Sequence, residues 1–415
     1  MGKQFFNSNE YELENGIQLI TIKKETHIAS IHIGMKIGAM YENMDEKGMS
    51  HFIEHMLFKG TGKRDNHRIN QDFEERAGSY DAYTDYTATV FSITALAEEL
   101  ETSTDLLSDM MMNATFPEEE IEKERKVILA EFKSDMDDVE QYSFLKINEI
   151  AFKKSPLRYD ILGRKKTING FTRDQLKRFY KKHYIPNKCV ISIVSPFDHN
   201  LVKEMIEKYF KKWEKGKEET ILIRIEKNKN VERISYKNNI EQNTILFLYT
   251  FHELTHKEEL ALQVLNHKLG QSANSILFRA LREEKGFSYD AYAEIDTTPF
   301  IKTLYIYTTA EENEIREAKK VIEACIEKIK AQEIYFDDKN IIHMKKVVKT
   351  AVVLMLEDVE GLGNYVLHQK MMDKKINAFI DDMEELDNIQ SDDIYKVANR
   401  VFCEPTIHIL LSKNE

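Results

Sequence analysis

The sequence predicts an α+β fold made of two tandem, homologous halves. Short apolar strands and long amphipathic helices are interspersed along all 415 residues, which fits layered α+β packing rather than a barrel or solenoid. A pattern in the first half also returns in the second. Ser79-Tyr80-Asp81-Ala82-Tyr83 recurs as Ser288-Tyr289-Asp290-Ala291-Tyr292. Phe116, Ile121, Val127 and Ile128 are matched, at one common and slightly longer spacing, by Phe336, Ile341, Val347 and Val348. Two matches in one order at similar offsets predict a duplicated unit of about half the chain.

The elements follow in chain order. Apolar runs predict strands at 17–22, 29–37, 88–93, 190–194, 244–251 and 303–308. Amphipathic spacing predicts helices at 69–77, 117–133, 173–184, 257–268 and 314–330. The charge-rich stretch 211–220 (KKWEKGKEET) reads as a linker, so the division falls into halves 1–216 and 217–415.

Composition excludes several classes. Hydrophobic residues at 42% and charged residues at 31% describe a globular chain with ample core. Lys+Arg 59 against Asp+Glu 71 leaves a net charge of −12, which argues against nucleic acid as a partner and suits basic peptides better. No apolar run approaches the roughly 18 residues that span a bilayer, so no membrane partner is expected. The start, Met1-Gly2-Lys3-Gln4-Phe5-Phe6, lacks the apolar region of a signal peptide, and Phe6 breaks the myristoylation pattern. Cys189, Cys325 and Cys403 are far apart and form no CxxC. The expected compartment is cytoplasmic.

Two motifs compete for metal chemistry. His51-Phe52-Ile53-Glu54-His55 and His252-Glu253-Leu254-Thr255-His256 each hold histidines four apart, which a helix would place on one face. A glutamate inside either motif is suited to take a proton from attacking water. The second sits between a strand and a capping box, Thr255-His256-Lys257-Glu258, that starts a helix inside the motif. His252 then falls outside the helix and the rings part. The first lies in a helical context: Gly48-Met49-Ser50 supplies a turn and a hydroxyl cap, Phe52, Ile53, Met56 and Leu57 a buried face, and Gly60 a stop.

A catalytic zinc usually takes three protein ligands, so a third is needed elsewhere. Glu124 and Glu131 are two turns apart on the helix 117–133 and border its apolar stripe of Ile121, Ile128 and Phe132. Either can turn inward to a cation. The neighbouring Glu118, Glu119, Glu120 and Glu122 show how readily such acids are simply solvated.

The stretch 48–61, GMSHFIEHMLFKGT, resembles the active-site helix of the pitrilysin-like inverzincin zinc metallopeptidases, in the mitochondrial-processing-peptidase branch and its bacterial single-chain relatives. That family's third ligand is a glutamate about 75 residues after the second histidine, and here 75 residues lie between His55 and Glu131. Glu124-Arg125-Lys126-Val127-Ile128-Leu129-Ala130-Glu131 also matches the family's helix, as Arg282 and Tyr289, with six residues between them, match its Arg/Tyr signature. The resemblance implies one Zn2+ per chain held by His51, His55 and Glu131, with Glu54 as general base and Glu124 as an assisting acid. It also implies that Arg282 and Tyr289 bind the substrate carbonyl and stabilise the oxyanion from the non-catalytic half. Ala351, which stands where the longer spacing would repeat Glu131, marks that half as having lost the chemistry.

The same resemblance implies sandwich halves of mixed, largely antiparallel sheet in a clam-shell around a chamber. A peptide would add as a strand beside Asp81, Ala82, Tyr83 and Thr84, with Phe58 lining the pocket after the cut. Asp81 stands where the family commonly has asparagine, which adds a carboxyl to that strand. The implied activity is a zinc endopeptidase acting on short or unfolded peptides, as a homodimer or self-sufficient chain. The rival reading is a silent scaffold or chaperone-like protein on the same fold.

Overall fold

The structure is a computed structural model that describes residues 5–219, 221–288 and 290–413. Eleven strands are present among them: β1 (Asn7–Glu12), β2 (Gln18–Lys23), β3 (Ile28–Met35), β4 (Ser79–Thr84), β5 (Thr89–Leu96), β6 (Cys189–Ser195), β7 (Val231–Lys237), β8 (Asn243–Thr250), β9 (Ala291–Asp296), β10 (Thr303–Ala310) and β11 (Thr406–Ser412). They form two sheets, ordered β1-β2-β6-β3-β5-β4 and β7-β11-β8-β10-β9. In the first, β2 and β6 run parallel and every other pair is antiparallel. In the second, β7 and β11 are the parallel pair. The second sheet is therefore the first without β1, and the two halves share one fold.

All six strands and five helices expected from the sequence are present, with ends shifted by a few residues. The edge strands β1, β4, β7 and β9 give weak signals because their sequences are polar or half-exposed. β2, β3 and β6 read as continuous apolar runs because both faces of their sheet are covered.

The chain divides into two compact units that are not contiguous in sequence. The first takes residues 1–132, 160–222 and 353–378, and the second 133–159, 223–352 and 379–415. A cut at 216/217 gives two stretches of sequence, whereas each compact unit also includes a helix from the far side of that cut. Helix Val359–Met371 packs on β6 and β3 of the first unit, and helix Val139–Ala151 on β11 and β8 of the second. These helices stand at the same spacing as Phe116 and Phe336, and Asp138 and Asp358 cap their first turns. In the first unit the approach is close. A Cβ on Gly363 would meet His32 Nδ1 at 2.7 Å, and one on Gly34 would meet Met371 Sδ at 2.6 Å.

The longer-spaced sequence echo marks a pair of matching helices. Helices Glu118–Asp137 and Asp338–Glu357 are each 20 residues long, and they too start at the Phe116-to-Phe336 spacing. The two copies of the pentapeptide differ in their contacts. Tyr83 bonds to Asn364 and His368, but Tyr292 bonds to Glu140, whose counterpart at the helix spacing is Glu360, the partner of Ser79. Tyr292 thus meets its helix one turn earlier than Tyr83 does.

Candidate metal centre

Helix Met49–Leu57 buries Phe52, Ile53, Met56 and Leu57 in the first core, which leaves His51 and His55 one turn apart on its other side. Its start departs from expectation. Ser50 is buried inside the first turn, and the N-cap is Gly48 at φ 93°. The capping group comes from upstream: Glu42 Oε2 accepts from the Gly48 N–H at 2.9 Å and Glu42 Oε1 from the Ser50 N–H at 2.7 Å. A side chain at position 48 would strike the Leu162 carbonyl oxygen at 2.3 Å. Burial raises the Glu42 carboxyl to about 7, against the pull of its bonds to Ser50 and Gly48. Sequence reasoning missed this residue, because an isolated acid several residues before a helix carries no local capping signal.

Helix Glu118–Asp137 brings the acids. Glu131 Oε2 lies 3.9 Å from His51 Nε2 and 3.5 Å from His55 Nε2, and one ligand atom from each of the three residues falls within 4.8 Å of the others. Glu124 lies behind: its Oε2 is 3.0 Å from His55 Nδ1 and its Oε1 accepts from Lys59 Nζ at 2.9 Å. A hydrogen bond at Nδ1 turns the His55 Nε2 lone pair towards Glu131. Glu54, buried between the two histidines in sequence, accepts from Thr84 Oγ1 at 2.7 Å through Oε2.

The electrostatics follow from crowding and burial. Burial, then the His55 ring, pulls His51 down to about 3, so this imidazole is neutral. For His55 burial pulls downward but is outweighed by the Glu124 hydrogen bond and the nearby Glu131 and Glu54, leaving it above the usual range. Glu124 is held below the usual carboxylate range despite burial, by His55 and Lys59. Burial raises Glu54 above it, with Thr84 pulling the other way.

Among the described residues, Glu131 Oε2 is buried with no hydrogen-bond partner, and so is His51 Nδ1. An orphaned carboxylate oxygen facing two imidazole nitrogens is costly unless something positive sits between them. Two imidazoles and one carboxylate are the donor set of a divalent transition metal, and these residues fit one. Among the described residues this is the one group of three or more such side chains that converges in this way.

Known proteins resemble this chain in sequence and in fold. The profile of the family described as Insulinase (Peptidase family M16) matches residues 18–165, and that described as Peptidase M16 inactive domain matches 170–346. The chain belongs to peptidase family M16. A protein of Rickettsia felis named an uncharacterized zinc protease is 29% identical, over 99% of this chain and 98% of its own. The mitochondrial-processing peptidase subunit beta of Caenorhabditis elegans is 28% identical over 62% of this chain and 56% of its own. A protease from Helicobacter pylori shares the fold, with TM-score 0.91 at 20% identity, over 98% of this chain and 100% of its own.

The other residues expected of an M16 site fall as follows. β4 ends its sheet order, so its outer edge is unpaired among the described residues. Its side chains alternate: Tyr80 packs at a tilt against Phe73, Ala82 packs on the first core and Thr84 meets Glu54, while Ser79 and Tyr83 reach helix Val359–Met371 from the opposite face. Asp81 is exposed. Phe58 is half-buried beside Phe73 and Phe91, with ring centroids 5.6 and 6.0 Å away. Arg282 lies in the second unit, in a π-helical turn Arg279–Glu283, with its guanidinium 4.8 Å above the Phe278 ring. Tyr289 lies outside the described residues. The rival motif is dispersed: Thr255 and Glu258 form the expected capping box, the helix starts at His256, and His256 pairs with Asp382.

Proposed function

We propose that this chain is a zinc-dependent endopeptidase that cleaves short or unfolded peptides, of the leader- or presequence-processing or peptide-turnover type. The observation that carries the reading is the orphaned Glu131 Oε2 facing the Nε2 atoms of His51 and His55, with the Glu54 carboxylate on the same helix. Those three residues would hold zinc, which when bound supplies Lewis-acid polarisation of a carbonyl and lowers the pKa of water. The rest belongs to the protein. Glu54 takes a proton from water as its oxygen attacks the scissile carbonyl carbon, then delivers that proton to the amine nitrogen as the C–N bond breaks. Glu124 holds His55 in the tautomer whose Nε2 is free to ligate, and Lys59 keeps Glu124 ionised. The unpaired edge of β4 offers backbone groups to an extended peptide at Asp81 to Thr84, with Phe58 nearby for a side chain past the cut. Arg282 and Tyr289 enter as carbonyl-binding candidates on sequence resemblance.

The test pairs zinc stoichiometry with a quenched-peptide assay. One zinc per chain and chelator-sensitive cleavage are expected. A second reading, a scaffold without catalysis, is favoured by the inactive-domain description of the profile over 170–346. Stoichiometric zinc with no cleavage of any peptide in a broad library would select it.

A further inference from the structure

We infer that Thr84 is a positioning residue for Glu54, and that the strand bearing it is held from behind by helix Val359–Met371, through Tyr83. The inference rests on Glu54 being the general base, as proposed above.

Hydrogen-bond bookkeeping makes the first half. A threonine hydroxyl has one hydrogen to give. Thr84 Oγ1 has two close neighbours, Glu54 Oε2 at 2.7 Å and Thr89 Oγ1 at 3.3 Å. Thr89 spends its own hydrogen on the Ile37 carbonyl at 3.0 Å, and an ionised carboxylate can only accept. The Thr84 hydrogen therefore goes to Glu54 Oε2. Glu54 Oε1 has no hydrogen-bond partner among the described residues and is left as the oxygen that takes and returns the proton. Such a bond fixes the carboxylate plane and keeps the working oxygen at one orientation.

The second half is strand geometry. Neighbouring residues on a strand point to opposite faces, so a bond on one face fixes the backbone that supports the other. Tyr83 Oη donates to Asn364 Oδ1 at 2.9 Å and lies 2.6 Å from His368 Nε2. Ser79 reaches Glu360 on the same helix. An edge strand with a single neighbour, β5, would otherwise depend on that one ladder for its position. The helix from beyond residue 352 thus supports the general base of the first unit without touching it.

The decisive variants are Thr84→Val, which keeps the shape and removes the hydroxyl, and Thr84→Ser, which restores it. Thr84→Val should lower kcat about 10- to 100-fold, while KM stays within about threefold and the zinc stoichiometry and Co2+ absorption spectrum remain those of the wild type. Thr84→Ser should recover most of the loss. Tyr83→Phe should give a smaller fall, about 3- to 10-fold, again in kcat. In a Glu54→Gln background, a labelled peptide that the wild type cleaves should bind equally well with or without Thr84→Val. Weakened peptide binding there, with KM rather than kcat altered, would overturn the inference, because Thr84 would then be acting on the peptide. Wild-type kcat in Thr84→Val overturns it as well. An unfolding double-mutant cycle between Thr84→Val and Glu54→Ala on zinc-free protein should show coupling, and additivity there also counts against it. That cycle reads the link even in a chain that cleaves nothing, so failure of the peptidase reading is told apart from failure of this one.

Discussion

The two units share a strand order and a 20-residue helix at matching positions, and they part at a few side chains. Where the first has the buried Glu124, the second has the buried Met344, and where the first has Glu131 the second has Ala351. The helices that follow β3 and β8 are also started differently. His256–Gly270 is capped by its own Thr255 and Glu258, whereas Met49–Leu57 is capped by the remote, buried Glu42. The second unit caps its helix locally and buries no acidic side chain among the described residues. The first buries Glu42 as that cap, and also Glu54 and Glu124, which the fold alone does not require and which burial disfavours. Glu54 and Glu124 mark where stability has been exchanged for a site.

Importing the second unit's residues into the first tests that contrast. Glu131→Ala, which copies Ala351, should reduce zinc from one per chain to none and abolish cleavage, read by metal analysis and peptide assay. Glu54→Gln should lower kcat by about a thousandfold with zinc retained, since it removes the base and no ligand. Glu124→Met, which copies Met344, should weaken zinc binding about 10- to 100-fold in chelator competition, while the apoprotein unfolds at equal or higher denaturant.

Glu42 gives a smaller effect with a pH signature. Glu42→Ala should cost about 2 kcal/mol in unfolding free energy through loss of the cap. The folded carboxyl titrates at about 7 against an ordinary 4.5, so the folded protein binds the proton more tightly. Its contribution to stability is therefore fully present below 4.5 and is lost as pH rises through about 7. Glu42→Gln should flatten the stability profile across that window, and an unchanged profile would remove Glu42 as its source. At the bottom of the scale, His252→Ala should leave zinc binding unchanged; loss of metal there would reverse the assignment between units.

Legibility in the sequence tracked locality. The HxxEH helix was readable because its four-residue spacing and apolar face are local, and the strands β2, β3, β5, β6, β8 and β10 because burial makes them apolar. The capping box at Thr255 was readable for the same reason. The hydroxyl cap expected at Ser50 was misplaced, since a distant carboxylate outcompeted it. Of the two echoes, that between the long helices marks elements of equal length and spacing, whereas the tyrosines of the repeated pentapeptide meet their helices one turn apart.

The sequence by itself determined the duplication and the helix carrying His51, Glu54 and His55, while Glu131 was singled out only by resemblance to the family. It did so because periodicity and spacing survive in one dimension. Only the tertiary structure decided that Glu42 caps that helix, that Thr84 and not Tyr83 faces Glu54, and that each sheet is backed by a helix from the other half of the chain. Each of these joins residues far apart in sequence or turns on which face of a strand a side chain occupies, and the alternation of a polar edge strand such as β4 does not say which of its faces meets the metal site.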